Sequence, residues 1–397
     1  MDNITPSEAI ETADAIRVLL IDDQRIVGET VRRMLAVIDG LEYRFCSDPT
    51  GALEEANSFA PTVILQDLIM PGADGIDMVR SFRANASTAA TPLIVLSSKE
   101  EPLVKAEAFA AGANDYLVKL PDRLELVARV RYHSAAYTLR RQRDEAFRVL
   151  EEQQRVIAQE IADAAAYVRS LLPSPMLATS PVPSDWRFLT SSSLGGDSFG
   201  YHWIDDTHLA IYLLDVCGHG VGPALLSVSA VNTVRNSTLK NTDFLRPSEV
   251  LAALNQAFPM SERDGKYFTI WYGIFDTATR TMTFASGGHP PAVVVASDGT
   301  TIQLSTGGLI VGAVPDAQFR EAQATIPPNA KLYVMSDGCY ELTRSGDDAL
   351  MNVNQFIEVL AQAAPHADAL DRIVAASRAW QGRADFDDDF SLIEFCV

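Results

Sequence analysis

Four aspartate positions from Asp197 onward share a local pattern. Asp197 follows paired glycines in "SSLGGDSFGYHWID"; Asp215 ends the apolar run of "YLLDVCGHG"; Asp337 does the same in "YVMSDGCYE". Asp387–Asp389 stand just before the apolar run of "FDDDFSLIEF". Carboxylates at strand ends, far apart in sequence, suit a two-metal site. Two such ions roughly 3.5–4 Å apart share a water and clamp a phosphoryl oxygen. That chemistry needs neither a Ser-His-Asp spacing nor an activated cysteine.

A second set occupies the first third. Asp22 and Asp23 follow "RVLLI", Asp67 ends "TVILQD", Ser97 ends "PLIVLS" and Lys119 closes "NDYLVK". On a parallel sheet these residues converge at one edge. Three carboxylates there can hold Mg²⁺, and a hydroxyl and an ammonium can hold a phosphoryl group. Asp67 is the natural nucleophile because the loop "LIMPGADG" after it leaves its side chain open.

The elements that would position these residues follow from texture. From residue 17, apolar runs alternate with helix-like stretches (25–37, 50–58, 75–83, 105–111 and 123–134), which predicts a doubly wound parallel α/β sheet. From about Tyr132 to Leu172 there is neither proline nor glycine. Phe147, Leu150, Gln154, Ile157, Ile161, Ala164, Val168 and Leu171 step by three and four, a heptad seam with Gln154 as its polar member. That spacing predicts a parallel coiled-coil dimer, against a long helix packed on its own domain. "LLPSPM" and "TSPVPSD" break the helix. Beyond Trp186, strand-like runs with helices over 222–237 and 247–258, and from Asn354 and Asp368, predict an α+β sandwich.

The composition agrees. A chain of 397 residues calls for two or three domains. A net charge of −20 argues against a nucleic-acid partner. With 52 acidic residues against six histidines, oxygen ligands and hence Mg²⁺ or Mn²⁺ are expected. Cys46, Cys217, Cys339 and Cys396 form no C-x-x-C pair, which fits a reducing compartment. No apolar run approaches a bilayer span and the N-terminus is acidic and polar, so a cytoplasmic protein without a membrane partner is expected.

On "DDQRIVGE", "ILQDLIMPGADG" and "VLSSKEEPLVKAEAFAAGANDYLVKLPD", residues 16–135 resemble the receiver domain of two-component response regulators, especially receivers attached to diguanylate cyclases. The resemblance implies that Asp67 is the phosphoacceptor and that Mg²⁺ is held by Asp22, Asp23, Asp67 and the carbonyl of Ile69. It also implies that Ser97 and Lys119 contact the phosphoryl group, that Tyr116 is the switch aromatic, and that a sensor histidine kinase is the phosphodonor. Lys119 precedes Leu-Pro, where most receivers have proline directly.

"GGDSF" resembles the GGDEF signature of diguanylate cyclases, but the rest of that pattern is missing. Ser198 replaces the glutamate, Arg187-Phe-Leu-Thr lacks the aspartate of an R-x-x-D, and "IAQEIADAAAYVRS" upstream is coiled-coil text. "VRSLLPSP", "GGDSFG", "LDVCGHGVGPALL", "KYFTIWYGIFD", "SGGHPPAVV", "MSDGCYEL" and "DDFSLIEF" instead resemble the metal-dependent protein phosphatases of the PPM family, in their SpoIIE-like bacterial branch. That resemblance implies an αββα sandwich, two Mn²⁺ or Mg²⁺ ions bridged by Asp215, and a ligand from the carbonyl of Val216. Asp197 would stand on one side of the pair and Asp337 with Asp388 on the other; Asp389 is the weaker choice. Gly200 stands where many relatives have a second Asp. His219 and His289 are expected to brace turns, and Cys217 and Cys339 to be small buried hydrophobes.

The implied organisation is an N-terminal tail (1–15), a receiver (16–135), a coiled-coil linker (136–172) and a phosphatase domain (173–397). The implied function is a response regulator whose phosphorylation controls a phosphoserine/phosphothreonine protein phosphatase, acting on a phosphorylated STAS-domain antagonist of an anti-sigma factor. A phosphorylation-switched adaptor with an inactive phosphatase domain is the alternative from another class, and a cyclase the third.

Overall fold

In the computed structural model, which describes residues 15–191, 194–263 and 265–397, the apolar runs of the first third become parallel strands. The expected 1–15 tail lies outside the described residues, Ala15 excepted. Two units separate, Met1–Gln154 and Arg155–Val397.

In the first unit, β1 (Arg17–Ile21), α1 (Arg25–Leu35), β2 (Glu42–Cys46), α2 (Ala52–Phe59) and β3 (Val63–Asp67) lead to the two-residue strands β4 (Ile69–Met70) and β5 (Ala73–Asp74). Then come α3 (Gly75–Ala84), β6 (Leu93–Ser97), α4 (Pro102–Ala111), β7 (Asp115–Val118) and α5 (Arg123–Ser170), which runs past Gln154 into the second unit. The sheet runs β2-β1-β3-β6-β7, all parallel. Its central strands β3 and β6 are buried along their whole length, which is why their apolar residues come consecutively rather than alternating with polar ones. Val27 and Val31 of α1 pack on one face with Leu126 and Val130 of α5. Ala56, Val79 and Ala108, from α2, α3 and α4, cover the other. The strand order reverses between β1 and β3, and the crevice beyond their carboxyl ends is where such sheets bind ligands.

The α5 helix is 48 residues long, merging the two helical stretches read from the sequence. Its start is anchored: Ser134 Oγ donates to Thr62 Oγ1 at 2.6 Å. From Arg140 to Glu160 every residue is exposed, among them Phe147, Leu150 and Ile157 of the seam.

The second unit is four-layered. Its strands are β8 (Ser184–Leu189), β9 (Asp197–Trp203), β10 (His208–Val216), β11 (Phe268–Asp276), β12 (Thr281–Gly287), β13 (Ala292–Val295), β14 (Thr301–Leu304), β15 (Glu321–Thr325), β16 (Lys331–Met335) and β17 (Phe390–Cys396). They form two antiparallel sheets, β15-β12-β11-β10-β9 and β14-β13-β16-β17-β8. Side chains of β10 sort by the two-residue strand period. Leu209, Ile211 and Leu213 enter the core between the sheets with Val334 and Ile393. Ala210, Tyr212, Leu214 and Val216 face α6 (Val221–Arg235) and α7 (Pro247–Ala257). On the far side, α8 (Val353–Ala363) and α9 (Ala369–Gln381) cover the second sheet. Among the described residues no helix is long and apolar enough to cross a membrane.

Candidate functional site

The parallel sheet delivers its acidic residues to one point. Asp22 and Asp67 are buried and Asp23 half-buried, and one oxygen of each lies within 4.8 Å of the others. Lys119 Nζ sits 2.6 Å from both Asp22 Oδ2 and Asp67 Oδ2. The ammonium therefore reaches the carboxylates although the Lys119–Leu120 peptide is cis and Leu120 intervenes before the proline. Burial raises the proton affinity of Asp22, and the Lys119 and Gln24 hydrogen bonds only partly offset it. Burial alone would lower the pKa of Lys119, but Asp22 and Asp67 outweigh it and hold it above its usual value. Asp23 Oδ1 and Asp67 Oδ1 are buried with no hydrogen-bond partner. Orphaned carboxylate oxygens are costly unless something positive meets them. The all-oxygen donor set fits Mg²⁺.

Around this point, Ser97 is buried and its Oγ accepts from Lys99 N at 3.2 Å. Tyr116 Oη donates to Lys99 O at 2.8 Å, with Lys105 Nζ 5.4 Å from its ring. Ile69 begins the loop hairpin, opposite Asp74. Sequence reasoning passed over Gln66. It is fully buried, and its Nε2 donates to Gly75 O at 2.7 Å, clipping the ends of the loop that follows Asp67. The available signal was a polar residue inside the apolar run "VILQD".

In the second unit, Asp197 and Asp215 face one another across β9 and β10. Asp337 follows β16, and Asp388 with Asp389 precede β17, its neighbour in the other sheet. Both pairs meet at one end of the cleft between the sheets. Burial, then Asp337 and Asp388, pushes Asp215 up to about 7. Burial and Asp388 push Asp337 up to about 6. Asp388 is also raised, by partial withdrawal of its carboxylate from water although the residue is exposed, and Asp197 well above the usual range, by burial and then Asp215 and Asp389. Asp197 Oδ2 is buried without a partner. Four mutually repelling carboxylates with an orphaned oxygen fit hard divalent cations. Among the described residues, however, only the Asp22, Asp23 and Asp67 trio closes to within 4.8 Å; the second set is more open.

The glycines have local reasons. A Cβ on Gly196 would strike the carbonyl of Val216, and one on Gly195 would strike the Asp389 carboxylate. Asp389 differs from Asp388 in being buried, with its oxygens engaged by Ser191 and Asp197 N–H groups. Asp387 is exposed and paired with Arg383. Gly200 lies opposite Tyr212, and a Cβ there would come 2.5 Å from the ring. It belongs to the alternate face of β9, toward the helical layer, away from the Asp197 face. His289 is buried and kept neutral, its pKa lowered to about 3 by burial, with Nδ1 2.7 Å from Thr269 Oγ1. His219 is exposed. Cys339 is buried, which pushes its thiol well up, and Cys217 Sγ accepts from Tyr267 N at 3.4 Å.

Residues 18–131 match the family model of the response regulator receiver domain, and residues 205–397 that of stage II sporulation protein E, SpoIIE. The chain joins a receiver to a SpoIIE-type domain. Phosphoserine phosphatase RsbP of Bacillus subtilis is 29% identical over 168 residues, 41% of this chain and 41% of that protein. Response regulator MprA of Mycobacterium ulcerans is 33% identical over 117 residues, 30% of this chain and 49% of that protein. The chain thus spans less than half the length of these curated relatives. The SiaA-PP2C domain of Pseudomonas aeruginosa superposes with a TM-score of 0.54 at 20% identity, covering 62% of this chain and 98% of that one. That likeness carries the fold of the SpoIIE-type domain.

Proposed function

We propose that this protein is a response regulator in which Asp67 accepts a phosphoryl group and thereby controls a metal-dependent phosphoserine/phosphothreonine protein phosphatase. The observation that carries the reading is the meeting of Asp197, Asp215, Asp337 and Asp388 at one cleft end, with proton affinities raised by burial and mutual repulsion. Such a set holds divalent cations or protons, and a neutral-pH hydrolase needs the former. Mn²⁺ or Mg²⁺ held there would supply Lewis acidity toward a phosphate ester and its attacking water. The chain's own part is to aim the carboxylates. Asp197, Asp215, Asp337 and Asp388, with the Val216 carbonyl, would hold the ions. In the receiver, Asp22, Asp23, Asp67 and the Ile69 carbonyl would hold Mg²⁺. Ser97 and Lys119 would grip the phosphoryl oxygens and Tyr116 would report the change.

The reading extends to organisation and partners. The receiver would span 16–135, a dimerising coiled-coil linker 136–172 and the phosphatase 173–397, in the cytoplasm. A sensor histidine kinase would be the donor and a phosphorylated STAS-type protein the substrate, as the SpoIIE-like resemblance implies; the phosphoserine phosphatase relative supports phosphoserine as the group hydrolysed. One observation favours the adaptor alternative: the wider spacing of the second carboxylate set. Hydrolysis of a phosphoserine protein with Mn²⁺, comparing wild type with Asp215→Asn, decides between them. Activity in wild type that the substitution abolishes supports the phosphatase. Activity that survives Asp215→Asn sinks the two-metal assignment, and no activity at all leaves the adaptor.

A further inference from the structure

Asp389 occupies a different position from its neighbour Asp388. It is 4% exposed, and its carboxylate is spent on Ser191, just beyond β8 of its own sheet, and on Asp197, which opens β9 of the other. Oδ1 accepts from Ser191 N at 3.0 Å and from Ser191 Oγ at 3.3 Å, and Oδ2 accepts from Asp197 N at 3.3 Å. Gly195 lies so close that any Cβ there would overlap the carboxylate. The backbone of Asp389 is tied as firmly to its own sheet. Its carbonyl accepts from Ser336 Oγ at 3.0 Å, and that hydroxyl in turn accepts from Ser391 N at 3.2 Å. Ser336 immediately precedes Asp337.

We propose that Asp389 is a positioning residue, which latches the turn carrying Asp197 to the strand ends carrying Asp337 and Asp388. The proposal rests on the reading of Asp197 as a metal ligand and specifies how that ligand is held. Both sheets contribute carboxylates, so the spacing between them sets metal affinity. Among the described residues the charge-assisted bond from Asp197 N to Asp389 crosses the cleft mouth, while those from Ser191 hold the carboxylate to the edge of its own sheet. The first glycine of the pair is then a requirement of the latch, as the second is of the Val216 carbonyl.

The test is calorimetric titration of the full chain with Mn²⁺, together with phosphoserine-protein hydrolysis over a Mn²⁺ series. Asp389→Asn keeps the side chain's shape but, with a single acceptor oxygen, cannot accept from Ser191 N and Asp197 N together. It is expected to bind as many ions as wild type, about tenfold more weakly, with turnover restored at high Mn²⁺. Gly195→Ala is expected to weaken binding similarly, and to cost less than about twofold in an Asp389→Ala background, where the methyl has room. A missing ion at saturation in Asp389→Asn would make Asp389 a ligand and overturn the proposal. So would a Gly195→Ala penalty that is the same in both backgrounds. Asp197→Asn in the same titration separates the two levels. If it binds Mn²⁺ as wild type does, the ligand reading fails and the proposal with it. If it loses an ion while the Gly195→Ala penalty persists without Asp389, the proposal alone fails.

Discussion

Asp197 and Asp215 stand directly opposite one another on neighbouring antiparallel strands, and burial raises the proton affinity of both. Like charges at facing positions oppose sheet formation. Here they form the floor of a cleft that two more carboxylates close.

That arrangement fixes a pH dependence. Asp215 is raised to about 7 and Asp337 to about 6. A carboxyl raised in the native state binds its proton more tightly there than in the unfolded chain. Its stabilising share is complete below the unfolded value near 4 and lost as pH rises through the native one. The metal-free SpoIIE-type domain is therefore expected to melt at progressively lower temperature between about pH 5 and pH 8. Mn²⁺ should reverse the trend and Asp215→Asn should flatten it. Scanning calorimetry in chelator across that range checks this; a flat profile would refute the clustering of charge.

Lys119 is the counter-charge of the receiver site, 2.6 Å from two buried carboxylates. Lys119→Met would leave both without it. Breaking such a pair costs about 3–5 kcal/mol. The loss is expected in metal-free urea unfolding, with Mg²⁺ recovering part of it and phosphoryl transfer from acetyl phosphate slowed. Equal stability of the variant and wild type without metal would contradict the pairing.

Gly200 stands where the PPM-family resemblance implies a second Asp, and the structure gives it a steric reason. Tyr212 is fully buried across the strand pair, its ring filling the place of a side chain at 200. Gly200→Asp is expected to destabilise by at least about 3 kcal/mol, from overpacking and a buried charge. Mn²⁺ affinity should change little, because position 200 points to the helical layer. In a Tyr212→Ala background the same substitution should cost much less. A large loss of Mn²⁺ affinity with unchanged stability would show that this face communicates with the metal site.

Strand-end carboxylates were legible in the sequence because a buried parallel strand reads as an apolar run and its end as the first charge. Strand-like runs with helices set apart among them likewise announced the sandwich. What stayed hidden depends on register and closure. Nothing near Gly200 reveals that Tyr212 lies opposite it, because the pairing is set by the β9–β10 hairpin. Asp389 meets Ser191 across 198 positions of chain, so the sequence showed two adjacent aspartates without showing that one is buried and engaged. Gln66 was visible as an oddity, but its bond to Gly75 needed the loop's path.

The heptad seam of α5 supports a last prediction. Phe147, Leu150 and Ile157 are 57%, 48% and 56% exposed, on a stretch where every neighbour is also exposed. Apolar side chains repeating at a and d along a charged helix are stable when a second helix covers them. In a parallel dimer each Gln154 would face its counterpart, a polar pair at one layer that fixes register at some cost in stability. Ile157→Asp is therefore expected to shift the chain toward monomer in sedimentation equilibrium, by tenfold or more in dissociation constant, since each dimer would bury two carboxylates in its seam. Gln154→Leu is expected to act oppositely, tightening the dimer while relaxing its register. Asp67→Asn leaves the seam intact, so it should dimerise through α5 yet lose any response to acetyl phosphate. A wild-type chain that sediments as a monomer at micromolar concentration, with and without acetyl phosphate, would remove the seam as a dimer contact and leave its exposed face to another partner.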